Sequence, residues 1–274
     1  MYNFKKCDLS AIAPMRKTYL NTLPEAQELF LEWIVAKGTF HLIRNKYNAV
    51  GYSVVSQDGI LVEFYLNQEV LPDAPDIFSE FIKEHKISQI LCKSFDGVLL
   101  SCCLNAHLYY KVFGRLFREH SNVDLRDPSV FTSIIQATED DYDDLIKYDN
   151  ELYDTPEDLA SLLRNRQILK YYVGDVLVGC GFLISLHEFG NHTDIGMWVD
   201  TPYRKKGYAT RIIADLKWRC LTGNLIPTAG CAAENIASKR TLEKNGFRSR
   251  YDLVLFSTEE IAELDVNEIV ARNI

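Results

Sequence analysis

Apolar residues at Leu20, Leu23, Ala26, Leu29, Phe30, Trp33 and Ile34 recur at spacings of three and four. That is the period of a helix with one buried face, and it predicts helical structure over 11–37. The texture then changes to short runs rich in β-branched and aromatic residues: Phe40–Arg44, Ala49–Val55 and Ile60–Leu66, punctuated by Lys46-Tyr47-Asn48 and Gln57-Asp58-Gly59. These read as strands joined by hairpins. A helix with Ile77, Phe78, Phe81 and Ile82 inward is predicted over 74–85. After it come a strand at 89–93, a helix over 97–111 and a strand near Arg115-Leu116-Phe117.

Past the polar, turn-rich stretch Asn122–Pro128 the same order returns. A strand begins at 131–135. Helices over 138–148 and 156–164 follow, the second opened by Thr155-Pro156-Glu157-Asp158, a capped start with proline in the first turn. Strands at 168–172, 176–186 and 193–199 lead to a helix over 207–221 that buries Ile212, Ile213, Leu216 and Cys220. A strand at 228–232, a helix over 236–245 and a closing strand at 251–256 complete the chain. Val50-Gly51 parallels Val178-Gly179, Leu66 parallels Val199, and Phe113 parallels Phe247, at offsets of 128, 133 and 134. The recurrence predicts a tandem duplication of one α/β (α+β) unit, with domains at 1–127 and 128–274. An unrelated α+β domain with the same element order is the alternative.

Composition narrows the function. The net charge of -8 argues against general nucleic-acid binding and leans mildly toward cationic substrates such as amines. The seven cysteines are scattered and form no Cys-x-x-Cys pair, and several sit in apolar runs such as Leu99–Leu104. They read as reduced, mostly buried thiols, and no metal site is expected. The N-terminus lacks an apolar signal core, and no apolar run approaches the ~18 residues of a membrane span. A cytoplasmic protein with no membrane partner is the expectation; the oligomeric state is left open.

One segment concentrates positive charge in this acidic chain. The strand Asp194-Ile195-Gly196-Met197-Trp198-Val199 ends at Asp200-Thr201-Pro202-Tyr203, and Arg204-Lys205-Lys206-Gly207-Tyr208-Ala209-Thr210-Arg211 leads into a helix. A strand, a glycine-containing turn and a helix start together aim unpaired N–H groups at one point, where the helix dipole adds positive potential. Gly207 allows close backbone approach. The arrangement suits a pyrophosphate, although a bare basic turn before a helix is a common surface feature. The glycine patterns of phosphate-loop and dinucleotide-binding folds are absent.

Arg204-x-x-Gly207-x-Ala209 resembles the acetyl-CoA signature of the GNAT N-acetyltransferase superfamily (Gln or Arg, two residues, Gly, one residue, Gly or Ala). Glu234-Asn235-Ile236-Ala237-Ser238-Lys239-Arg240-Thr241-Leu242-Glu243-Lys244-Asn245-Gly246-Phe247 resembles its second CoA motif, in the form common among ribosomal-protein alanine acetyltransferases. The resemblance spans about 131–257. It implies tandem GNAT-like mixed-sheet domains and acetyl-CoA as co-substrate. The backbone of Met197, Trp198 and Val199 would pair with the pantetheine arm, amides from Lys205 to Thr210 would take the pyrophosphate, and Asn235 would hold the pantetheine side.

An ammonium must lose a proton before it attacks a thioester. Asp194 and Glu234 are the candidate bases, each with an alternative as a solvated strand-end carboxylate. Many GNAT members place a tyrosine acid where this chain has Leu242. Ser238 is the candidate donor to the leaving thiolate, with local helix capping as its alternative. The first repeat lacks this chemistry. Its segment Asn67–Pro75 has no glycine and carries acidic and proline residues, and Asp96–Ser101 lacks the Asn-x-x-Ser pattern. It is expected to be degenerate and to bind no CoA. The activity implied is direct acetyl transfer to a primary amine, either a small molecule or a protein N-terminus. A non-catalytic acyl-CoA sensor or interaction protein is the other reading. Acceptor choice is expected to reside in the loops 149–166 and 187–193.

Overall fold

The computed structural model describes residues 2–148, 152–153, 155–186 and 190–261. Parts of both expected acceptor loops, 149–151, 154 and 187–189, lie outside the described residues. The chain divides into two compact units. Among the described residues, the first holds those up to Arg115 together with Tyr251–Ile261; the second lies within Leu116–Arg250.

In the first unit, β1 (Asn3–Cys7), β2 (Thr39–Arg44), β3 (Ala49–Val55) and β4 (Ile60–Leu66) form an antiparallel run, and β4 then pairs in parallel with β5 (Gln89–Lys93). Helices α1 (Leu9–Thr22) and α2 (Leu29–Lys37) lie between β1 and β2 in sequence, α3 (Ala74–Glu84) between β4 and β5, and α4 (Gly97–Asn105) after β5. The helical region over 11–37 is therefore two helices. Leu23 is extended, the conformation that a following proline, here Pro24, favours in its neighbour. The helix over 97–111 stops at Asn105. His107 takes a left-handed φ of 51° and Leu108 donates its N–H back to the Cys103 carbonyl, a Schellman ending without glycine.

The second unit repeats this plan. β7 (Ser133–Gln136), β8 (Ile168–Val173), β9 (Val176–Ser185) and β10 (His192–Val199) are antiparallel, and β10 pairs in parallel with β11 (Ile226–Ala232). Before β8 stand α5 (Tyr142–Leu145), flanked by 3-10 turns, and α6 (Pro156–Arg164), whose start is a reciprocal Thr155–Asp158 capping box. Between β10 and β11 runs α7 (Tyr208–Thr222), and α8 (Ile236–Lys244) follows β11. Ile195, Val199, Ile212, Ile213, Leu216 and Phe247 share one buried cluster that fixes α7 against the sheet.

The closing strands depart from the sequence pattern. β6 (Tyr109–His120) and β12 (Phe247–Ser257) are each divided between the units. Leu253–Ser257 pairs antiparallel with β5, so the strand after the second repeat completes the first unit's sheet. The segment 121–126 is strapped to α7: the buried Lys217 ammonium donates to the carbonyls of Ser121 (2.7 Å), Val123 (3.2 Å) and Asn245 (2.8 Å).

The repeats correspond residue by residue at one point. Gly51 pairs with Leu66, and Gly179 with Val199. A Cβ on Gly51 would lie 2.1 Å from the Tyr65 carbonyl oxygen, and one on Gly179 2.4 Å from that of Trp198. Asn67 donates to the Val50 carbonyl as Asp200 does to that of Val178. The equivalent of Phe247, however, is Leu108 rather than Phe113, because Leu108 and Phe247 each follow the left-handed residue that ends α4 or α8.

Gly179→Ala should destabilise the protein by about 1–3 kcal/mol in urea unfolding, because backbone, not a movable side chain, blocks the methyl. Gly97→Ala, with open space around it and a φ outside the left-handed region, should cost less. A second expectation concerns acid. His41 lies 4.4 Å from His85, ring centre to ring centre, and opposite Lys6. Burial, then His85 and Lys6, push its pKa from 6.5 down to about 4. The unfolded chain therefore binds the proton more readily, and stability present above pH ~6.5 should fall by up to about 3 kcal/mol as pH drops toward 4. His41→Leu should flatten that part of a stability-versus-pH curve.

Candidate active site

The parallel pairing of β10 with β11 is short. It covers His192↔Ile226, Thr193↔Pro227 and Asp194↔Thr228, while β10 stays paired with β9 as far as Val199. Beyond Asp194 the edge of β10 that faced β11 has no ladder partner among the described residues. Leu186 donates to the His192 carbonyl and Asp200 to that of Val178, so even-numbered residues spend their backbone groups on β9. The odd-numbered ones turn theirs to the open side: Met197 both groups and Val199 its N–H, the Val199 carbonyl there accepting from Arg204 Nε. Trp198 does not: its backbone faces β9, and its side chain is buried against Tyr148, ring centres 4.5 Å apart.

Side chains alternate as well. Ile195 and Val199 pack with α7. Asp194, Gly196 and Trp198 lie on the opposite face, Trp198 among residues that include Leu159 and Leu163 of α6. Asp194 thus stands on the last paired residue of the fork. Its charge adds to burial in pushing the Cys220 thiol up to about 12.

The turn that follows gathers positive charge and backbone N–H groups. Lys205 and Gly207 both have left-handed φ, 63° and 90°, and Gly207 is the N-cap of α7. A left-handed residue followed by helical ones turns successive amides inward as a nest. Gly207 brings no side chain to cap the helix, and nothing lies within 4 Å of where its Cβ would stand. The first amides of this 15-residue helix therefore open onto free space. Arg204, Lys205, Lys206 and Gly207 are exposed, and Tyr208, Ala209 and Thr210 half-buried. Two of the cations also brace the turn: Arg204 Nε donates to the Val199 carbonyl at 2.9 Å, and the Arg211 guanidinium to that of Leu125.

Asn235 is the N-cap of α8, its Oδ1 accepting from the Ser238 amide at 3.0 Å. Capping belongs to Asn235, then, and Ser238 supplies the N–H. The Asn235 amide group keeps two further donors. Glu234 is exposed in the turn after β11. Leu242 is core, packed with Phe247 and Leu216. The sequence placed Lys205 in the basic turn but not its left-handed backbone, a conformation that glycine usually marks. Gly179, read from sequence only as the counterpart of Gly51, lets β9 close on Trp198.

Two family models match the chain. One for a GNAT acetyltransferase domain covers residues 8–120, and one for the GNAT acetyltransferase family covers 131–247. The chain belongs to the GNAT superfamily. Tandem GNAT domains account for its two units, and acyl transfer is the chemistry of its family. No curated protein matches the sequence. Among solved structures, a GNAT-family acetyltransferase from Colwellia psychrerythraea has a TM-score of 0.83 at 16% identity, covering 94% of this chain and 100% of its own. A GCN5-related N-acetyltransferase from Sphaerobacter thermophilus gives 0.64 at 14%, covering 96% and 98%. A tandem GNAT protein from the clavulanic acid biosynthesis pathway gives 0.63 at 13%, covering 96% and 100%. At these identities the likeness is one of fold.

Asn235→Ala should cost about 0.5–2 kcal/mol of stability through the lost cap, whereas Asn235→Asp should retain most of it; chemical denaturation of the two variants distinguishes them.

Proposed function

We propose that the second GNAT unit transfers an acetyl group from acetyl-CoA to a primary amine by direct attack. The observation that carries this reading is the fork between β10 and β11, whose open edge leads straight into the Gly207 nest. A long thin donor with an acidic head matches both parts. Its pantetheine amides would pair with the Met197 and Val199 edge as a short β-ladder, and its pyrophosphate would take the amides from Lys205 to Thr210. Asn235 would hold the pantetheine from the β11 side. Bound acetyl-CoA supplies an activated thioester.

The chain's own residues then have defined tasks. Asp194, at the fork, or Glu234, just beyond β11, takes the proton from the acceptor ammonium. The free amine attacks the thioester carbonyl carbon, and a backbone N–H of the open edge steadies the oxygen as charge develops on it. As the C–S bond breaks the nitrogen gives up its remaining extra proton to solvent, leaving a neutral amide, and the thiolate takes a proton from Ser238 or solvent. Burial pushes the Cys180 and Cys220 thiols of this unit up to about 12, far from a reactive thiolate, so neither suits an acyl-cysteine intermediate. The acceptor is a small amine or a protein N-terminus.

Gly207→Glu should abolish CoA binding in calorimetry, since a carboxylate would enter the space reserved for phosphate. Turnover of acetyl-CoA with an amine panel should be lost in the same variant. Wild-type protein that shows no CoA binding at micromolar concentrations would end the proposal.

A further inference from the structure

The first unit has the same fork. β4 and β5 pair only at Ile60↔Gln89 and Leu61↔Ile90, while β4 stays on β3 to Leu66. Counting from the matched pairs Gly51↔Leu66 and Gly179↔Val199, Leu61 corresponds to Asp194, Glu63 to Gly196 and Tyr52 to Cys180. Counting from the last parallel pairs, Lys93 corresponds to Cys231. Asp96, the N-cap of α4, corresponds to Asn235, the N-cap of α8. Where the second unit has Gly, Cys and Cys around its fork, the first has Glu, Tyr and Lys.

Those three side chains are fully buried and bonded to one another through α1 and the residues after it. The Glu63 carboxylate on β4 accepts from Arg16 (2.8 Å), from Tyr52 (2.9 Å) and from the Gln27 amide (2.6 Å). Gln27 Oε1 accepts from the Lys93 ammonium on β5 at 2.6 Å. Lys93 also donates to Tyr19 (2.6 Å), whose hydroxyl donates to Asp96 at 2.5 Å. Glu63–Gln27–Lys93 thus forms a hydrogen-bonded bridge from one arm of the fork to the other, and Tyr19–Asp96 carries it on to the cap of α4. The entry for phosphate is shut as well. Asn67 leads into a 3-10 turn over Gln68–Asp73, Pro75 removes an amide from the first turn of α3, and Asp73 and Asp76 put negative charge there.

We infer that the first unit's cleft is filled by its own side chains, so that the chain holds a single acyl-donor site. The internal bridge supplies polar partners where the second unit is left with space for a ligand. Burying four charged groups is costly unless each is paired, and here every one is. The cleft therefore stays closed in the folded state rather than opening to a donor.

This inference rests on the reading of the second unit's fork as the donor site, and one experiment separates the two. CoA is titrated into the full chain by calorimetry, and hydrogen exchange is followed by mass spectrometry with and without CoA. The expected result is one CoA per chain, with amides over 195–210 protected, those over 62–76 unchanged, and binding lost entirely in Gly207→Glu. Two CoA per chain, protection over 62–76, or a site that survives Gly207→Glu would overturn the single-site inference and leave the donor-site reading standing. No CoA bound at all would overturn the donor-site reading, and this inference with it.

Discussion

The structure turns on a pair of parallel strands that part company. β10 and β11 share only three paired positions before the ladder ends, and β4 and β5 share two. Backbone N–H and C=O groups are costly to leave without partners. A strand that keeps one neighbour and loses the other must find something for its second edge. Much else follows: the glycines Gly51 and Gly179 that let the outer hairpin close tightly at the strand's end, the helix that must start at the mouth of the fork, and the N-capped helix on the far arm.

The two units meet this constraint with different chemistry. In the first, a buried network joins the arms, and proline and aspartate occupy the helix start. In the second, Gly196, Cys180 and Cys231 stand at the corresponding positions, and Lys205 and Gly207 gather the first amides of α7 into a nest. In our reading the second arrangement takes its missing partner from the acyl donor. On that reading a tandem fold with one of its two clefts self-filled keeps the scaffold of both copies and the transfer chemistry of one.

Much of this was legible in the sequence because its signals are local. The strand, basic turn, glycine and helix of 194–211 have fixed chemical requirements at fixed spacing, and the Asn235–Phe247 motif carries its own cap and stop. The Thr155–Asp158 capping box could be read directly. What escaped depends on tertiary context. β1 is a short strand of mixed polarity whose only signal is its pairing with β2. The break between α1 and α2 at Pro24 interrupts a hydrophobic period that continues across it. The end of α4 at His107 uses a non-glycine left-handed residue, which composition does not announce. The closing strand 251–256 was legible as a strand, but its neighbour, β5, was not, because pairing is non-local. Within the site, the separation of Met197 and Val199 from Trp198 needed the register with β9. The polar bridge of Glu63, Gln27 and Lys93 joins residues 66 positions apart at the extreme, beyond the reach of any motif.

The most direct test of the central claim is the parity of β10. Isotope-labelled protein is titrated with CoA, and backbone amide resonances are followed by NMR. The account predicts large shifts for Met197 and Val199, and for the amides from Gly207 to Thr210, with Trp198 and Gly196 moving little because their N–H groups are spent on β9. Comparable or larger shifts at Trp198 and Gly196, or a fork whose amides do not respond while CoA binds elsewhere, would contradict it.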